Sequence, residues 1–152
     1  MLLTLLGTGC PKVDHKRFGP SNLISSKKSN ILVDCGSGVT QRLEEANIST
    51  ANIDALVLTH LHSDHVVDFY QLIISSWHSY RIKSWKIYGP IGTKKFLTKI
   101  MKAWEQERNL RIKYEARSSI DAFKLDIKEF REYGKIRIKD IDLEYFKVDH
   151  YP

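Results

Sequence analysis

The run Thr59-His60-Leu61-His62-Ser63-Asp64-His65 constrains this chain more than any other feature. Three of its six histidines fall between positions 60 and 65, with a carboxylate among them. The preceding segment, Ile53–Thr59, is apolar and partly β-branched, which predicts a buried strand. Beyond it, Val66, Phe69, Leu72, Ile73 and Trp77 recur at helical spacing, which predicts an amphipathic helix over 66–80. In an extended run, alternate side chains share a face, so His60 and His62 point the same way, while Asp64 and His65 fall where the helix begins. Nitrogen and oxygen ligands are thereby placed at the carboxyl end of a buried strand, where α/β sheets put their sites. Neutral imidazoles and carboxylates suit zinc and related first-row ions. Two pairs of ligands on opposite sides of one turn could serve two metals, an arrangement suited to hydrolysis.

Strands are expected at Met1–Leu6, read as a buried first strand, at Leu23–Ser25, Ile31–Cys35 and Trp85–Tyr88, and at Lys135–Ile138 with Ile141–Val148 around a Lys139-Asp140 turn. Helices are expected at Val39–Ala46 and after Thr93, a candidate cap, with Phe96, Leu97, Ile100, Met101 and Trp104 on one stripe. Residues 110–130 fit neither period. Strands alternating with helices indicate an α/β layered fold.

The 152 residues suggest one domain or part of a larger one. With 42% hydrophobic and 28% charged residues, wholesale disorder is excluded, and no apolar run approaches the ~20 residues of a membrane-spanning helix. The opening MLLTLL lacks a basic flank and is too short for a signal peptide. Cys10 and Cys35 do not make a disulfide framework, so a reduced, cytoplasmic protein is expected and no membrane partner. A net charge of +6 accommodates acidic partners, RNA included. Lys94, Lys95, Lys99 and Lys102, however, are explained by the solvated face of an amphipathic helix, with Trp104 in the core.

HLHSDH matches the HxHxDH signature of the metallo-β-lactamase superfamily. LLGTGCPKVDHKRFGPSNLI resembles the glycine-rich opening of the branch containing ribonuclease Z and the arylsulfatase-like hydrolases. ILVDCGSGVTQRL and IYGPIGT are similar to that branch's next two blocks. The resemblance implies an αββα layered sandwich, here truncated to its N-terminal half within a single domain, 1–152. It implies that His60, His62 and His150 hold one metal and that Asp64 and His65 hold the other. Asp64 would also position the attacking water. The implied cofactor is zinc, up to two ions in a complete protein, with manganese or iron as substitutes. Asp34 either fixes the tautomer of a ligand histidine or caps the Gly36–Gly38 turn.

Members of that branch run to roughly double this length, and their second half supplies a bridging Asp and a last ligand His. No such strand follows His150 here. The expectation is therefore a fragment, a chain completed by a homodimer partner or second polypeptide, or a non-catalytic remnant, with activity impaired in the chain alone. The implied function is hydrolysis of a phosphodiester or related phosphate or sulfate ester by a zinc-activated hydroxide. The alternative is a tRNA 3′-processing endonuclease. Ser63, where tRNA-processing members carry Gly, and the segment AWEQERNLRIKY weigh toward the arylsulfatase-like side.

Overall fold

A computed structural model describes residues 1–150. The elements run β1 (Leu2–Gly7), β2 (Ser21–Ser25), β3 (Asn30–Val33), α1 (Val39–Glu45), β4 (Ala55–Val57), α2 (Ser63–Val66), α3 (Phe69–His78), β5 (Trp85–Pro90), α4 (Thr93–Ala103), α5 (Glu105–Tyr114), β6 (Leu125–Phe130), β7 (Tyr133–Ile138) and β8 (Ile141–Phe146). The first six strands form one sheet in the order β1-β2-β3-β4-β5-β6. The β1/β2 and β2/β3 pairs are antiparallel, and β3 through β6 are parallel. β7 and β8 form a separate antiparallel hairpin.

Strand alternation gives the sheet two apolar faces. On one face, Leu23, Leu32, Leu56 and Ile87 stand side by side in register across β2 to β5. They pack against Val39 and Leu43 of α1, Phe69, Leu72, Ile73 and Trp77 of α3, and Leu97 and Met101 of α4. On the other face, Ile31, Ala55 and Tyr88 are covered by Ile138 and Ile141 of the hairpin. The result is the α/β arrangement expected, with helices on one face of a mostly parallel sheet and a second, small β layer on the other.

Several local expectations are corrected. β1 is an edge strand rather than a buried one: Leu2, Leu3 and Leu5 are each more than half exposed. Leu3 pairs with Ile24 on the outer face, and the hairpin's apolar contacts fall farther into the sheet. The helix expected over 66–80 is broken at Val67–Asp68, because Asp68 turns to accept the Gly38 backbone N–H at 2.6 Å. Thr93 is not a cap; its hydroxyl bonds Pro90 O, and Glu129 of β6 accepts the Gly92 and Lys94 N–H groups instead. Trp104 is not core: it is 48% exposed and stacks on Tyr70. Lys94, Lys95, Lys99 and Lys102 do face solvent, as the amphipathic reading required. Arg81 is buried, its guanidinium over the Trp85 ring and bonded to four backbone carbonyls, so it is not part of any exposed basic surface.

Candidate metal centre

β3 and β4 run in parallel and end together, and both release their chains into the same corner. Asp34 follows β3 with φ of 60°, a left-handed conformation that Asp tolerates better than most residues. Its N–H donates to Val57 O at 2.8 Å, so the side chain is carried beside the end of β4. There its carboxylate accepts the Thr59 N–H at 2.8 Å, the Thr59 hydroxyl at 2.8 Å, and a ring nitrogen of His65, Nδ1, also at 2.8 Å.

These bonds set two tautomers. A carboxylate can only accept from His65 Nδ1, so the proton sits there and His65 Nε2 is free as a donor of electrons, 3.7 Å from the Asp64 carboxylate. The Thr59 hydroxyl spends its one proton on Asp34 and therefore accepts from His60 Nδ1 at 3.0 Å. That leaves the lone pair on His60 Nε2. This atom is buried and is the one buried side-chain nitrogen or oxygen among the described residues with no hydrogen-bond partner.

The surroundings of His60 Nε2 are other imidazoles. The His60 ring lies 4.5 Å from that of His62, 4.1 Å from His65 and 4.7 Å from His150, and the His62 and His150 rings are 4.9 Å apart. One ligating atom from each of His60, His62 and His150 falls within 4.8 Å of the other two. A buried, unpartnered nitrogen costs free energy unless something fills the site. Three converging imidazoles fit a cation of the zinc type better than they fit one another. Burial, reinforced by His65 and His62, also holds the His60 imidazole below the ordinary histidine value, which favours the neutral ligand form.

The loop holding these residues is fixed by backbone bonds. The Cys35 N–H donates to His65 O at 2.8 Å, and the His65 N–H to His62 O at 3.1 Å. Gly36 is pressed so closely against this loop that a Cβ there would stand 2.5 Å from Asp64 O. Asp34 thus bonds His65, while Asp68 serves the Gly36–Gly38 turn. The sequence marks Thr59 only by its place immediately before the histidine run. Cys35 is fully buried and its thiol is pushed well up by burial and by Asp34 and Asp68, which disfavours the thiolate; Cys10 is exposed on the glycine-rich loop. His15 is on the surface, and His78 is half-buried and paired with Glu115 at 3.0 Å.

Sheet order, helix placement and a histidine-rich corner after β4 define a metallo-β-lactamase fold. The human short-form tRNase Z superposes with a TM-score of 0.64 at 24% identity, over 84% of this chain and 43% of that one. A metallo-β-lactamase fold protein of Bacillus subtilis gives 0.63 at 19% identity, over 92% and 49%. The chain belongs to the anti-Pycsar protein Apyc1 family, whose model matches residues 1–152. Ribonuclease Z of Mycolicibacterium gilvum is 41% identical over 113 residues, 72% of this chain and 40% of its own length. Ribonuclease Z of Mycolicibacterium paratuberculosis is 35% identical over 154 aligned residues, 99% of this chain and 54% of its own length. The chain spans about half the length of the curated relatives it matches. Among the described residues, no helix is long and apolar enough to cross a membrane.

Proposed function

We propose that the protein is a metal-dependent phosphodiester hydrolase, with zinc as the ion and His60, His62 and His150 as its ligands. The observation that carries this reading is His60 Nε2, buried and unpartnered among the His62, His65 and His150 rings. Asp64 and His65, adjacent on α2, are the donors for a second, weaker site. When bound, a divalent ion supplies Lewis acidity and brings the pKa of water toward neutrality. Asp64 orients the attacking water through its carboxylate and accepts its proton. Asp34 and Thr59 hold the two histidine tautomers, keeping Nε2 of His60 and His65 directed into the site.

Phosphodiesters are favoured over sulfate esters by the likeness to ribonuclease Z, whose name places its chemistry on RNA. That likeness also supports a second reading, tRNA 3′-end processing. Ser63 in place of Gly and the match to a separately named family weigh against it as the primary assignment.

The test is a substrate panel on zinc-loaded protein: bis(p-nitrophenyl) phosphate, an aryl sulfate and a precursor tRNA, each with an Asp64→Asn control. Cleavage of the small diester, reduced about a hundredfold or more in the control, is expected. Cleavage of precursor tRNA alone would favour the second reading, and cleavage of none would favour a non-catalytic remnant.

A further inference from the structure

The hairpin that delivers His150 is attached to the sheet unevenly. Its inner face is apolar: Ile138 and Ile141, which flank the turn, are buried against Ile31, Ala55 and Tyr88, and Ile136 and Leu143 are partly buried beside them. Among the described residues, the hydrogen bonds and ion pairs from residues 133–150 to the rest of the chain come from the turn, residues 138–140, and from Lys147, whose N–H donates to Glu132 O at 2.8 Å and whose Nζ pairs with the Glu132 carboxylate at 3.7 Å in the loop leaving β6. Asp140 Oδ1 accepts the Ser29 hydroxyl at 2.5 Å and the Ser26 hydroxyl at 2.9 Å, both from the turn between β2 and β3. Ile138 O is 3.5 Å from the Ser29 hydroxyl. Lys139, held at a positive φ of 54°, donates to Lys28 O at 2.9 Å and pairs with Asp54 at 2.8 Å. Asp54 lies just before β4 begins, at the end of that strand opposite His60. The hairpin therefore crosses the sheet face from a polar latch at one end to the histidine cluster at the other.

We infer that the Asp140–Lys139 latch is a positioning device for His150, coupling hairpin docking to metal binding. The inference rests on the metal reading given above. An ion on His60, His62 and His150 would pin the chain that leaves β8, and the latch pins the far end of the hairpin. Each attachment lowers the disorder that the other must overcome, so each strengthens the other. Loosening the latch lowers the fraction of molecules with the hairpin docked and competent to bind, and the apparent metal affinity falls by that fraction. Ser26, Ser29 and Asp140 touch neither the histidines nor any reacting group, so they act through the placement of His150 alone.

The experiment is zinc titration against a chromophoric chelator, with hydrogen exchange of residues 133–148 in the same samples. Asp140→Ala is expected to weaken zinc binding roughly tenfold and to speed exchange in β7 and β8 while β3 to β5 stay protected. Zinc should restore part of that protection. Asp140→Asn keeps an acceptor for the two serine hydroxyls and is expected to bind zinc close to the wild type. Ser29→Ala, a milder change, should fall between them. Wild-type zinc affinity in Asp140→Ala, or unchanged exchange of the hairpin, would overturn the inference and leave the metal reading standing. Failure of the wild-type protein to bind zinc would overturn both.

Discussion

The Asp34 carboxylate sits 2.8 Å from His65 Nδ1, and its three accepted hydrogen bonds fix two imidazoles at once, His65 directly and His60 through Thr59. One aspartate beside the strand end thus determines which nitrogens face the site. Asp34→Asn keeps the shape and tolerates the same backbone conformation, but its amide competes to donate where His65 must donate. Zinc affinity is expected to fall by roughly 10- to 100-fold, measured by competition with a chelator. Thr59→Val should produce a smaller loss by releasing only His60.

Gly36 allows the β3–α1 loop to lie directly on the histidine run. A methyl group at this position would stand 2.5 Å from Asp64 O and 2.7 Å from Pro20 N, backbone atoms that cannot swing away. Gly36→Ala is therefore expected to displace Asp64 and reduce both thermal stability and zinc binding. Gly134→Ala, where the close neighbour is the Tyr145 side chain and not backbone, should cost less thermal stability than Gly36→Ala.

Asp54 gives the fold an acid limit. Burial disfavours its charge, but Lys139, Lys83 and the Asn30 N–H outweigh that and hold its carboxyl below the ordinary value of 3.8. Buried Arg81 adds a further positive charge nearby. Because the folded value is depressed, the stabilisation is fully present above 3.8 and is lost as pH falls below it and the carboxylate protonates. Asp54→Asn should be less stable than the wild type at neutral pH, and the gap should close in acid denaturation followed by circular dichroism.

Leu56 stands at the centre of the helix-facing row, fully buried between Leu32 and Ile87. Leu56→Ala should cost about 3 kcal/mol in urea denaturation without moving any site residue. A loss below about 1 kcal/mol would mean that the sheet face collapses around the gap.

The histidine run was legible because metal ligands at short spacing between a strand and a helix form a local pattern. The α3 stripe was legible for the same reason: Phe69, Leu72, Ile73 and Trp77 repeat within one element and bury one face. α5 buries no residue, so no apolar stripe marked it, and β6 behind it went unassigned with residues 110–130. β1 reads as buried because its residues are apolar, but hydrophobicity alone does not say what covers a strand, and the outer layer does not reach Leu3 and Leu5. The bonds from Asp34 to Thr59 and His65 join positions 25 and 31 apart in sequence, and only the parallel pairing of β3 with β4 brings them together. Of the two roles open to Asp34, contact with a histidine is the one its geometry supports, since Asp68 holds the neighbouring turn.

Three converging imidazoles, His60, His62 and His150, are the ligands on which the proposed metal site stands. Elemental analysis of purified protein beside His60→Ala and His150→Ala variants tests that site. About one zinc ion per chain, lost or strongly depleted in both variants, is the predicted result. Folded wild-type protein that holds no metal after zinc loading, or variants that retain the full complement, would contradict it.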